Sequence, residues 1–130
     1  MKDVLPRTLV ADALGVGEDA LPPGDLPLDR LAERFLAYLR AGDADDPAPA
    51  DHPDAWTYAL MDALTRDHPA RGFAAVVAAV AACDTPEDVA LVAAGPLEDL
   101  IVQHGADLID AVETRAAAAP RFAYALTGVW

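Results

Sequence analysis

The stretch AAGPLEDLIVQHG, residues 93–105, holds the side chains best suited to chemistry in this chain. Glu98 and Asp99 are adjacent carboxylates, and His104 follows six residues on. A carboxylate beside an imidazole can move protons on a bound substrate, provided both come within hydrogen-bond reach of the reacting atoms. The same residues also read as helix punctuation. With Gly95 as the cap, Pro96 takes the first helical position and Glu98 the third, where a carboxylate serves free backbone N–H groups. His104 then falls in the last turn, where a donor suits the negative helix end, and Gly105 stops the helix. Leu97, Leu100 and Ile101 make its buried face, and Asp99 points away. Each residue has a structural task, so a well-started and well-stopped helix is the expectation.

Other chemistry is poorly served. His52 and His68 both lie in Asp-His-Pro triplets at helix starts. If those helices form an antiparallel hairpin, the two starts are roughly 18–20 Å apart at 1.5 Å rise per residue. Zinc ligands must converge to within about 2 Å of one ion, so the pair cannot share it. The loop DADDPAPADHPD offers Asp43, Asp45 and Asp46 in calcium-like alternation, but Ala48 stands where an EF-hand loop needs glycine. Serine is absent, and Cys83 closes an Ala/Val helix with no histidine near it in sequence, the setting of a small buried hydrophobe. No Gly-rich phosphate loop occurs. The expectation is no metal, no cofactor and no catalytic residue, and a protein that is not an enzyme.

The elements that must position these residues are helices. Pro27, Pro53, Pro69, Pro86, Pro96 and Pro120 each precede an apolar-periodic stretch, and proline suits a first helical turn. PLDRLAERFLAYLRAG sets Leu28, Leu31, Phe35, Leu36 and Leu39 on one face, with Gly42 ending it. A second helix, Pro53 to about Arg66, turns Trp56, Leu60, Ala63 and Leu64 inward and pairs Asp62 with Arg66 at i,i+4. A third from Pro69 buries Phe73, Val76, Val77 and Val80. CDTPEDVALVAAG reads as an Asp84 or Thr85 cap with acid in the first turn. A helix from about Asp107 to Ala118 buries Leu108, Ile109, Val112 and Ala116. The last, from Pro120, buries Phe122, Leu126 and either Val129 or Trp130. GVGEDALPPGDLP and GDADDPAPAD are loops. The fold class is therefore all-α: a compact array of six to seven short antiparallel helices, with starts every 16 or 17 residues that approach a helical-hairpin, HEAT-like period. Residues 1–25 form an N-terminal segment of short helix plus loop, and 26–130 a single helical domain.

Composition bounds the function. The 130 residues include 30 alanines and a single lysine, and the formal net charge is −13. Alanine favours helix and a thin, close-packed core. The acidic surface repels phosphate backbones, which argues against nucleic acid, and it would attract a basic protein. One cysteine, no secretory core near the start and no apolar run of about 20 residues point to a cytoplasmic, non-membrane protein. Tyr58 falls off the apolar face of its helix, and Trp130 is either a docked plug or an exposed anchor.

The C-terminal third, AAGPLEDLIVQHGADLIDAVETRAAAAPRFAYALTGVW, resembles a bacterial all-helical family of domains of unknown function. The residues that carry the resemblance are Trp56, Asp67, Pro69, the block from Gly95 to Leu100, His104, Gly105, Ile109, Asp110, Val112, Glu113, Pro120, Phe122, Leu126 and Gly128 to Trp130. It spans roughly residues 28–130 and implies an all-helical domain without supplying an activity. It also draws in Asp99, Asp110 and Glu113, which packing alone does not require. The expected function is a protein–protein interaction or regulatory, immunity-like module that binds another protein, a basic one fitting the charge. The candidate binding surface is Glu98, Asp99, His104, Asp110, Glu113, Tyr58 and Trp130. Two alternatives stand beside it: a small enzyme or ligand-binding domain using Glu98, Asp99 and His104, and a structural homodimer formed through a flat apolar patch around Val76–Val80.

Overall fold

The computed structural model describes residues 4–42 and 48–129. In chain order its elements are β1 (Val4–Leu5), α1 (Arg7–Leu14), a 3-10 turn (Glu18–Ala20), β2 (Leu26–Pro27), α2 (Leu28–Arg40), α3 (Ala55–Asp67), α4 (Pro69–Ala82), α5 (Pro86–Val92), a π-helical segment (Ala93–Leu97), α6 (Glu98–Ala118) and α7 (Pro120–Leu126). The fold is all-α. Its two two-residue strands pair antiparallel, Val4 opposite Pro27 and Leu5 opposite Leu26, within stretches that carry no strand period.

The N-terminal segment docks. α1 buries Val10 and Ala11 and packs on α3. It ends at Gly15, whose φ of 69° is the left-handed conformation that glycine adopts without a Cβ penalty. The Val16 N–H reaches back to the Ala11 carbonyl at 3.0 Å. Arg7 fastens the following loop by donating to the carbonyls of Glu18, Leu21 and Pro22, and the Asp25 carboxylate accepts from the Arg7 N–H at 3.0 Å.

α4 is the hub of the core. Its sequence, PARGFAAVVAAVAA, is apolar nearly all round, the pattern of a helix with neighbours on every side. α2, α3, α5, α6 and α7 all pack on it. Small residues permit this. At Gly72 a Cβ would stand 2.8 Å from the Leu64 carbonyl oxygen of α3, so only glycine lets those backbones meet. Around α4 the core is filled by Leu31, Phe35 and Leu36 from α2, Leu60, Met61 and Leu64 from α3, Leu97 and Leu100 from the long C-terminal helix, and Phe122 from α7. The Phe73 and Phe122 rings meet edge to face at 5.9 Å. Val76 and Val80 lie inside this core and are almost wholly buried, so the flat apolar patch expected there is not on the surface.

The Arg40–Asp88 ion pair crosses the fold, with its carboxylate buried and its guanidinium half-exposed. Arg40, at the end of α2, grips the Asp88 carboxylate of α5 with two hydrogen bonds of 2.7 and 3.1 Å. Asp88 also accepts from the Asp84 N–H at 3.1 Å, and its side chain is only 7% exposed. These donors hold the Asp88 carboxyl below the usual carboxylate range, the Arg40 hydrogen bond first, against the opposing effect of burial. The Thr85 hydroxyl caps the same helix by accepting from the Asp88 N–H at 3.1 Å.

The punctuation expected at residues 95–105 is not there. α5, the π segment and α6 form one continuous helix, with Pro96 buried in its interior and Gly105 in the middle of α6. Gly95 caps nothing, and Gly105 stops nothing.

Candidate binding surface

Pro96 explains the π segment. Inside an α-helix a proline has no N–H to offer the carbonyl four residues back, and its ring collides with that carbonyl. Widening the turn by one residue relieves both problems. The Glu98 N–H accordingly donates to the Ala93 carbonyl, five residues back. The rod continues, and the added residue sets the rotation of everything after it.

That rotation decides which residues of α6 face out. Leu100, Leu108 and Val112 turn to the core. At 3.6 residues per turn, Glu98, Val102, Ile109 and Glu113 fall on one strip flanking the buried stripe, and Asp99, Ala106 and Asp110 lie opposite that stripe. Val102 is 72% exposed and Ile109 50%. Ile109 was expected to be buried; the buried stripe runs through Leu108 and Val112, and the next residue along stands about 100° away from Leu108.

Four of the candidate residues therefore lie toward one side of α6: Asp99, Asp110 and Glu113, which are exposed, and Glu98, which is half-buried. Tyr58, exposed on α3, joins them across a small cleft. Phe35, Met61, Tyr58, Asp62 and Thr65 line it from one side, and Gly95, Pro96 and Asp99 from the π segment and α6. Its volume, about 30 Å3, is one water's worth. Partial burial raises the Asp99 carboxyl above the usual range, and the negative charges of Asp62 and Glu98 add to that. Tyr58 is also the end of an aromatic run: Tyr38 lies 6.1 Å from it and 5.5 Å from the His52 ring. The Tyr38 hydroxyl donates to the Ala48 carbonyl at 3.1 Å, and His52 Nδ1 accepts from the Asp54 N–H at 3.0 Å near the start of α3.

His104 is not on this side. Its Nε2 lies 3.0 Å from the Arg66 carbonyl oxygen, one of the last carbonyls of α3. A carbonyl only accepts, so Nε2 carries the proton and His104 caps α3. The expected role, a donor at a negative helix end, is filled, but for another helix than its own. Among the described residues no direct hydrogen bond joins His104 to Glu98 or Asp99. Trp130 lies outside the described residues, as do Asp43, Asp45 and Asp46.

A second hollow, an open groove of about 500 Å3, lies where the C-terminal half of α6 passes the start of α4. Phe73, Asp110, Ala111, Thr114, Arg115 and Ala118 line it. His104 lines neither hollow. Among the described residues no three His, Cys, Asp or Glu side chains are grouped to hold a metal. Cys83 is buried with its thiol pushed up to about 11, burial first and the Asp88 charge second, and donates to the Ala79 carbonyl. It is a protonated packing residue. No described helix is long and apolar enough to cross a membrane.

Thr65 and the place of Asp62 in the cleft escaped the sequence reading, as did the exposure of Val102 and Ile109. A usable signal existed. Buried Ala93, Leu97 and Leu100 step by four and three across the Gly-Pro pair, the spacing of a helix that does not stop there.

Residues 44–130 match a family model described as Family of unknown function (DUF6869). The matched part runs from α3 to α7 and leaves α1 and α2 outside. No curated protein and no solved structure matches the chain.

Proposed function

The chain belongs to this family of unknown function, DUF6869, and from that premise we propose that it is a protein-binding module whose contact surface is the outward side of α6 with the adjoining Tyr58 cleft. The observation that carries this reading is the exposure of Val102 and Ile109 on one strip of α6. Single exposed aliphatics are ordinary on a protein surface. Two on one strip, two turns apart and bordered at both ends by carboxylates, have the form of an interface with an apolar centre and a polar rim. The enzyme alternative needs a histidine beside Glu98 or Asp99, and His104 is held on α3 instead.

The test is a photo-crosslinking amino acid placed at Val102 or Ile109 in the native host, with exposed Glu87 of α5 as the control site. The expected outcome is one discrete protein adduct from both α6 positions and none from the control. Adducts from Glu87 alone, or from no position, would reject α6 as the contact surface.

A further inference from the structure

Resting on that reading, we infer the chemistry of the partner: a basic amphipathic helix with two apolar anchors seven residues apart and a cationic side chain four residues beyond each. The strip on α6 dictates the pattern. Glu98, Val102, Ile109 and Glu113 are spaced by four, seven and four residues, which is the same read in either direction. The two aliphatics lie roughly 10 Å apart along the helix and the two outer glutamates roughly 22 Å, at 1.5 Å per residue. A helix laid along this strip, parallel or antiparallel, meets apolar positions in the middle and negative charge at both ends.

The charge decides the occupant. Asp99 and Asp110 flank the strip, and its positions 98, 99, 102, 106, 109, 110 and 113 include no basic residue. Across the cleft, Asp62 is already paired with Arg66 at 2.9 Å, whereas Asp99 has two like charges for neighbours. Cations over Glu98, Asp99, Asp110 and Glu113 would be steered there and would relieve this repulsion.

A second copy of this chain is the poorer occupant. Antiparallel pairing of two α6 helices would seat Val102 on Ile109, but the same register sets Glu98 against Glu113. Each two-fold contact would then carry like-charge pairs at both ends, which oppose association.

The test uses the full chain and fluorescent synthetic peptides. One is an 18-residue helix former with leucines and arginines in the four-seven-four pattern. The second replaces its arginines by glutamates, and the third scrambles its composition. Fluorescence anisotropy is read at low and physiological salt. The patterned basic peptide is expected to bind at least about tenfold tighter than the scramble, with Kd rising with salt. The glutamate peptide is expected not to bind. Val102→Arg with Ile109→Arg should abolish binding without unfolding the chain, which still melts cooperatively, since Val102 is exposed and Ile109 half-exposed. Glu98→Gln with Glu113→Gln should weaken binding and flatten its salt dependence.

Equal binding of scramble and pattern, binding of the glutamate peptide, or indifference to the α6 substitutions would each overturn the inference. So would dimerisation of the unliganded chain that Ile109→Arg abolishes, because the strip would then serve a second copy. A crosslinked adduct at Ile109 without patterned-peptide binding rejects the basic helix and leaves the binding-module reading standing. Absence of both removes the two together.

Discussion

Asp88 ties the end of α2 to the start of α5. Its carboxylate takes two hydrogen bonds from Arg40 and one from the Asp84 N–H. Asp88→Asn keeps the shape but turns one acceptor into a donor facing donors. It should cost about 2 kcal/mol in urea unfolding, with less lost on the Arg40 side because Arg40 is 44% exposed and water can take it back. Because the folded carboxyl titrates below the unfolded one, the stabilisation is fully present above the unfolded value and is lost as pH falls through the folded one. Wild type should therefore lose stability on acidification faster than Asp88→Asn. Asp99 has the opposite sign. Its carboxyl titrates above the unfolded value, so its ionisation opposes folding at neutral pH. Asp99→Asn should melt higher than wild type at pH 7, and the gap should close as pH falls into the carboxylate range. A residue retained against stability suits a surface used for something other than folding.

At the scale of elements, two glycines in helices make opposite predictions. Gly72→Ala gains helix propensity of about 1 kcal/mol but drives a methyl into the α3 backbone, 2.8 Å from the Leu64 oxygen. Net destabilisation of about 2 kcal/mol is expected from chemical denaturation. At Gly105 a Cβ would meet only Ile101 Cγ2 at 3.6 Å, an ordinary contact. Gly105→Ala should stabilise by about 0.5–1 kcal/mol. The π segment allows a sharper test of phase. Deleting Pro96 should let the rod become regular α-helix with Leu97 and Leu100 still inward, leaving a cooperatively folding protein with near-native circular dichroism. Inserting one alanine after Leu97 rotates α6 by about 100°. It should abolish cooperative unfolding, because Leu100, Leu108 and Val112 can no longer all reach the core.

For the whole molecule, charge sets the behaviour. A net charge of −13 on 130 residues makes the folded state repel itself. Raising NaCl to about 0.3 M shortens the screening distance from ~10 Å toward ~5 Å. The melting temperature should rise with salt, measured by calorimetry, while association with a basic partner weakens over the same range. The opposite sense of the two effects separates self-repulsion from recognition. Association of this kind leaves α4 undisturbed, because the hub lies beneath the other helices and the α6 strip faces away from it.

Much of this was legible in the chain. Alanine content, proline spacing and apolar periodicity identify the all-α class, and they place α2, α4 and α7 closely, because each is decided by local propensity and one buried stripe. The Asp62–Arg66 pair, a cap at Asp84 or Thr85 and exposed Tyr58 followed from spacing alone, and the structure selects Thr85 for the cap. The C-terminal rod did not. Gly95-Pro96 carries the local signal of a helix start, and only packing of Leu97 and Leu100 on the core makes a π turn cheaper than a break. Once the rod is continuous its rotation is set over the whole length. That rotation sends His104 to α3, turns Ile109 outward and gathers Glu98, Asp99, Asp110 and Glu113 on one side. Residue type and local spacing choose a helix; which side of it meets water is settled by what packs against the other.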